Sequence, residues 1–354
     1  MEFSSSERRA MVSVLGGRSF VGALTIFVAL AATNVHARTW VIAPDGSGEA
    51  PTIQAGIDSA AAGDVVLLTP GLYSWTTQGG QQPTSGTTLV ILKDGVTLRG
   101  RDGASRTILD AEEQGRVLFS PSGATSLIEG LTITGGRTEE CANLRCKLGG
   151  GILLFGNDST VRDCKIVSNH AQVGGGGIAV DHSSATVQGN LILRNSTEPG
   201  GNGGGGIGLI GSPSQPLLIQ NTIVANIGDG IAAGDASGIF RGNILAWNRR
   251  FPGRPFGGKG VSCAFGLPTL GCNDLWSNEG SDAICGIDGE GNFTLDPQFC
   301  GADPIDGDNH FLQSDSPCLP GSNSCSLQVG ALGDGCSTVV IAPSSWSGVK
   351  ELFK

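Results

Sequence analysis

Leu191-Ile192-Leu193-Arg194-Asn195 and, 31 residues later, Thr222-Ile223-Val224-Ala225-Asn226 are the stretches that decide the fold. An aliphatic residue followed three places on by asparagine also stands at Ile166/Asn169, Leu245/Asn248 and Leu275/Asn278, so successive asparagines are 26, 31, 22 and 30 residues apart. Glycine clusters ending in Ile152, Ile178, Ile207 and Ile231 recur at a similar interval. Recurrence on this scale marks a solenoid, in which each unit buries its apolar face only against its neighbours. Ile178 and Val180 alternate with Ala179, Ile207 and Leu209 with Gly208, and Ile231 and Ala233 with Ala232. A period of two places the large residues inside and the small ones outside a strand.

If coils stack about 4.8 Å apart, each residue type falls on its copy above and below. The asparagines then form a ladder at a turn, where Asn tolerates left-handed backbone and its amide bonds to the next. Glycines 149–151, 174–177 and 203–206 supply positive φ at one corner of successive coils. A phosphate-binding loop is excluded there, because no lysine follows at the required spacing and no helix begins. Strands are expected at Val65–Thr69, Thr88–Leu92, Val96–Arg99, Val117–Ser120 and Leu127–Thr134. Before them, Ile53, Ile57 and Ala60/Ala61 at helical spacing behind Thr52 predict a short helix that covers the first coil. Cys141–Leu148 and Gly200–Gly206 read as loops bulging from the coils.

The chain opens with Arg8, Arg9 and Arg18, an apolar run from Val21 to Ala32 and Val35-His36-Ala37, the pattern of a secretory signal over 1–37. The run has 12 residues, short of the roughly 20 a membrane span needs. Losing that segment removes three basic and two acidic residues from 22 Lys+Arg and 32 Asp+Glu, leaving a net charge of about −11. An acidic surface argues against a nucleic-acid partner. Glycine accounts for 58 of 354 residues while hydrophobic content stays at 39%, which fits many tight turns around a continuous core.

Ten cysteines in an exported chain point to disulfides, with Cys141–Cys146 and Cys263–Cys272 expected as local bridges. No Cys-x-x-Cys spacing supports zinc. Along the chain these signals divide it into a signal at 1–37, an N-terminal cap at 38–63, the solenoid at 64–278, a Cys-rich C-terminal cap at 279–343 that seals the other end, and a tail at 344–354.

Trp40-Val41-Ile42-Ala43-Pro44-Asp45-Gly46-Ser47-Gly48, Pro51-Thr52-Ile53-Gln54 and Pro70-Gly71-Leu72-Tyr73 resemble the N-terminal cap of pectin-lyase-like right-handed β-helix proteins. Leu295-Asp296-Pro297-Gln298-Phe299-Cys300, His310-Phe311-Leu312, Ser316-Pro317-Cys318 and Val329-Gly330-Ala331 resemble the end of secreted bacterial proteins with this repeat. The resemblance covers nearly the whole chain after the signal. It implies an all-β fold, a right-handed parallel β-helix with a short N-terminal capping helix and a Cys-rich C-terminal cap. That superfamily includes pectate lyases, polygalacturonases, pectin methylesterases, alginate epimerases and proteins with no demonstrated activity, so function rests on a site. The methylesterase motifs are absent, and Trp75 stands where that family carries Glu after Gly-x-Tyr.

Hydrolysis of a glycan needs two carboxylates facing one groove. Asp181, Asp229 and Asp235 are the candidates; Asp181 and Asp235 share an edge but are separated by a coil presenting Ile210 and Gly211, a gap of about 9.6 Å. His182 beside Asp181 forms a pair able to abstract a proton. Asp303, Asp306 and Asp308 form an oxygen-rich turn conceivable for calcium, though no cofactor or metal is otherwise implied. Between Trp247 and Gly260 lie Arg249, Arg250, Arg254 and Lys259 among Phe251 and Phe256, without an acid. Arginine and aromatic rings together suit anionic sugars. The expectation is a monomeric, exported β-helix protein that binds extracellular polysaccharide or surface glycan without catalysis, the alternatives being a polysaccharide-active enzyme or a purely structural surface protein.

Overall fold

The computed structural model describes residues 37–139, 141–200, 203–212 and 214–336. The signal segment up to residue 36 and the tail at 344–354 lie outside them. One coil shows the plan: Ile152–Phe155, Thr160–Arg162 and Lys165–Val167 follow one another round three faces, and Ile178–Asp181 returns to pair in parallel with Ile152–Phe155. Repetition builds a first sheet of 10 strands starting at Thr39–Ile42, a second of 8 starting at Gly71–Ser74 and a third of 7 starting at Thr88–Ile91. Every strand pairing within these sheets is parallel, and successive coils stay in register apart from one irregularity between Gly204 and Ile207, opposite Asp229–Ile231.

Register fixes the core. On the first sheet Val161, Val187, Leu218, Phe240 and Leu270 stack inward. Ile166, Ile192, Ile223, Leu245 and Leu275 do so on the second, and Ile152, Ile178, Ile207, Ile231 and Val261 on the third. All are buried. The sequence expectation of large residues inside holds, but Ala179, expected outside, is buried too. It joins Phe119, Leu148, Leu153 and Ile210 in a second apolar layer on the outer surface of the third sheet.

The repeated asparagines form the expected ladder. Nδ2 of Asn169, Asn195, Asn226 and Asn248 each donates to Oδ1 of the asparagine one coil on, at 3.0, 3.1, 3.0 and 2.8 Å, and Asn278 ends the run on Asp282. Each Oδ1 also accepts from the backbone N–H of the preceding asparagine. The left-handed residue is not the asparagine, as expected, but its predecessor: Ser168, Arg194, Ala225, Trp247 and Ser277 have φ between 51° and 58°. A second ladder, Asn190, Asn221, Asn243, Asn273 and Asn292, runs beside it on the same bonding pattern.

Glycine makes the first ladder possible. A methyl group added at Gly177 or Gly230 would come within 3.0 or 2.8 Å of the amide nitrogen of Asn195 or Asn248, so the strand entering the third sheet passes the amides without side chains. This requirement extends further than the expected positive φ, which in these clusters falls on Gly149, Gly175 and Gly203. Gly204–Ile210 is a strand rather than part of a bulging loop. Similarly, the segment expected as one strand over Leu127–Thr134 is two, Leu127–Glu129 and Thr132–Thr134, separated by left-handed Gly130.

The N-terminal helix is Ile53–Ser59, with the Thr52 side chain accepting from Ala55 N–H. Its Ile53 and Ile57 close the first coil against Ile42, Val66 and Leu68. At the other end Ile284 and Cys285 pack on the core. The Cys-rich segment beyond does not only seal the end, however. Phe299, Leu312, Cys318 and Val329 lie back along the outer face of the second sheet, on Leu193, Val224 and Ile244.

Four disulfides are formed: Cys141–Cys146, as expected, then Cys263–Cys285, Cys272–Cys325 and Cys300–Cys336. The expected Cys263–Cys272 bridge is replaced because the two thiols face opposite ways. Cys263 is in register with inward-facing Ala233 and meets Cys285 at the end of the core. Cys272 sits at a left-handed corner between the first two sheets and meets the returning C-terminal segment.

Asn226→Ala would strip partners from Asn195 N–H and Nδ2 and from the Ile192 carbonyl, all buried. At 1–3 kcal/mol for each buried group left unpaired, a loss of about 3 kcal/mol is expected, read as a lower urea midpoint at unchanged m-value. A second test concerns Asp274, fully buried under the C-terminal segment, where it accepts from Leu295 N–H and the Cys318 thiol. Burial pushes its carboxyl up to about 7. The folded state therefore favours the protonated acid, and this contribution to stability is lost as pH rises from about 4 through 7. Asp274→Asn should match the native protein near pH 4 and exceed it in urea midpoint at pH 8.

Candidate glycan-binding cleft

The segment carrying the arginines and phenylalanines folds over the outer face of the third sheet and encloses a cleft of about 410 Å³, within the size range of small-ligand sites. Arg250, Phe251, Pro255, Phe256 and Lys259 form one side, and Ala232, Asp229 and Ser262 lie on the strand side. Phe251 is buried and Phe256 is 47% exposed, their rings edge to face with centroids 5.7 Å apart. Phe251 is therefore an anchor, while Phe256 presents ring surface to solvent. Arg250 and Lys259 are exposed, and among the described residues neither side chain has an ion-pair partner.

Asp229 organises this wall. One oxygen accepts from the Lys259 backbone N–H at 2.9 Å and the other from the Ser262 hydroxyl at 2.6 Å. Burial raises its pKa, with those hydrogen bonds opposing. Glu279 holds the other end of the loop by accepting from Arg250 N–H at 2.9 Å. Of the remaining residues in the stretch, Arg254 is exposed and does not line the cleft. Arg249 is half-buried with Nε unpartnered, and Trp247 turns away to pack on Phe299.

The carboxylates read from the sequence lie on different coils or at opposite ends of one strand. Asp229 begins and Asp235 follows the strand Asp229–Ala233, which at about 3.3 Å per residue is ~13 Å long. Asp181 is in register with Ile210, as expected, and the next coil separates it from Asp235. Asp181 is buried; it accepts from Arg145 Nε at 3.3 Å and from His182 Nδ1 at 2.6 Å. Arg145 arrives on the short 3-10 turn Leu144–Lys147, held by the Cys141–Cys146 bridge, and its guanidinium stacks 3.7 Å from the Phe155 ring centroid. The His182 side chain is 52% exposed. It occupies a left-handed corner (φ 50°) that adjacent coils fill with Gly156 and Gly211, a conformation costing a non-glycine residue on the order of 1–2 kcal/mol.

At the turn considered for calcium, Asp308 is already paired with Lys165 at 3.1 Å and Arg194 at 2.8 Å, which hold its carboxyl below the usual range against burial. Asp303 accepts from the Ile305 and Asp306 backbone. No group of three or more His, Cys, Asp or Glu side chains suited to a metal occurs among the described residues.

Residues 95–264 match the family described as right handed beta helix region. The chain is a right-handed β-helix protein. This agrees with the pectin-lyase-like resemblance of its sequence. Similar solved structures include the pectate lyase Pel9A, at 16% identity and a TM-score of 0.49 over 69% of this chain and 65% of that one. A mannuronic acid specific polysaccharide family 6 lyase from human gut microbiota has 13% identity and a TM-score of 0.34, over 68% and 65%. The β-helix protein thus spans about 65% of the length of each. No curated protein sequence matches. No helix among the described residues is long and apolar enough to cross a membrane.

Proposed function

We propose that this β-helix protein acts outside the cytoplasm as a binder of acidic polysaccharide, held in the cleft between the 250–259 loop and the third sheet. The observation that carries this reading is the pair of cations, Arg250 and Lys259, without an ion-pair partner among the described residues, beside the exposed face of Phe256. In a chain of net charge −10, cations left unpaired in a concave site offer the counter-charge a carboxylate- or sulfate-bearing sugar needs, and the ring offers a stacking surface. The disulfides support an oxidising compartment. Asp229 serves here as a positioning residue, since both of its oxygens are filled by Lys259 N–H and Ser262.

The cleft requires charge and ring together. The double variant Arg250→Ser/Lys259→Ser should raise the Kd for an acidic oligosaccharide, such as oligogalacturonate, about ten-fold at low salt, equivalent to ~1.4 kcal/mol. The deficit should shrink as added salt screens the native cations. Phe256→Ala should weaken binding with little change in that salt dependence. Titration calorimetry reads both effects. Unchanged affinity in the double variant, with the thermal midpoint preserved, would remove the cleft as the binding site.

A further inference from the structure

We propose that Asp181, His182 and Arg145 form a separate hydrolytic site that cleaves ester groups carried by sugars. The substrate class, an esterified acidic glycan, rests on the polysaccharide reading above; the chemistry of the site does not. Three observations converge. The His182 imidazole has its Nδ1 fixed at 2.6 Å from a buried carboxylate, and the ring is half exposed. With Nδ1–H donated to Asp181, Nε2 is left as the free basic nitrogen, oriented without help from the substrate.

The second observation is the corner in which the imidazole sits. The corner holding His182 is left-handed, and both in-register neighbours, Gly156 and Gly211, are glycines. The ring lies over Gly211, where an added methyl would come 2.3 Å from Nδ1. Other corners of the solenoid also hold left-handed non-glycine residues, as at Ser168, Arg194 and Ala225, so what distinguishes His182 is the glycine in register on either side, which leaves its ring room over the adjoining coil.

The third observation selects the reaction. Arg145 is balanced by Asp181 at 3.3 Å, so its charge is already committed and is a poor means of neutralising a sugar carboxylate for proton abstraction from carbon. Its Nη groups can still donate hydrogen bonds to an oxygen that becomes negative during reaction. That combination suits water attack on an ester. His182 Nε2 takes a proton from water as the water oxygen bonds to the ester carbonyl carbon. The carbonyl oxygen gains charge beside Arg145. On collapse the C–O bond to the alcohol breaks, and the proton on Nε2 passes to the leaving alkoxide, giving one acid and one alcohol from ester plus water. His182 is the catalytic residue; Asp181 is a positioning residue.

The test measures acetate and methanol release from O-acetylated and methyl-esterified polyuronate, and hydrolysis of 4-nitrophenyl acetate, by the full chain. His182→Gly should lower all turnover at least about 100-fold while raising the thermal midpoint by roughly 2 °C, because glycine relieves the strained corner. Asp181→Asn should lower kcat with KM little changed. 4-Nitrophenyl acetate carries no uronate, so its hydrolysis reads the dyad alone, whereas polymer turnover reads dyad and cleft together; hydrolysis of the small ester without release from either polymer would count against the cleft and not against the dyad. Full activity in His182→Gly, or no release above buffer from any of the three substrates by the native chain, would overturn the proposal.

Discussion

Everything in this protein follows from one constraint: parallel backbone pairing between coils forces each side chain to sit over its counterpart one rung away. For apolar residues that costs nothing, and Ile, Val and Leu columns fill the interior of all three sheets. For a polar residue it is permissive only if the residue can bond to a copy of itself. Asparagine is the side chain that does so, since its amide carries both a donor and an acceptor. The two ladders therefore turn the sharpest corners of the coil into continuous hydrogen-bonded columns, and glycines such as Gly177 and Gly230 give those columns the space they occupy.

This constraint also determines how much the sequence discloses. The inward columns, the first asparagine ladder and the Thr52-capped helix were legible because each depends on period or local spacing alone. The second ladder carried the same signal, an asparagine five places before each member of the first from Asn195 onward, as in Asn190/Asn195 and Asn221/Asn226. The left-handed residue was misplaced by one position because propensity favours Asn there, whereas stacking needs the Asn side chain for its neighbour and leaves strain to Ser168 or Ala225. Disulfide partners depended on which way a thiol faces at a coil corner, and on a segment returning 53 residues later to Cys272. Periodicity carries no information on either.

The candidate sites were legible in proportion to their distance from the ladders. Arg250, Phe251 and Phe256 stood out by composition, and the adjacency of Asp181 and His182 was plain in the chain. What the sequence withheld was their company. Arg145 reaches Asp181 from 36 residues away on a disulfide-closed turn, and Ser262 reaches Asp229 from 33 residues away on the next coil. Arg116 belongs to the same class. It is fully buried without an acid, and burial lowers its pKa to about 9, yet its guanidinium is satisfied by the carbonyls of Ser85, Arg145, Leu148 and Gly149. It thereby pins the turn that carries Arg145.

The outer faces of the three sheets are used differently, and this decides where chemistry can reside. The second sheet is covered by the returning C-terminal segment, fastened by Asp308 to Lys165 and Arg194 and by the apolar contact of Phe299 and Leu312. The third sheet is partly covered by its own glycine-rich approaches and by the Cys141–Cys146 turn, leaving the cleft at one place and the His182 corner at another. At both places a buried carboxylate faces outward between coils instead of a hydrocarbon side chain: Asp229 under the cleft, Asp181 under the imidazole. A buried acid on a repeating sheet interrupts the like-over-like rule, because the rung beyond presents Ile210 to Asp181. Such an interruption is stable only where other donors satisfy the acid, and in each case those donors fix the position of an exposed basic group. The coil thus supplies a uniform scaffold, and its departures from uniformity are where oriented charge reaches the surface.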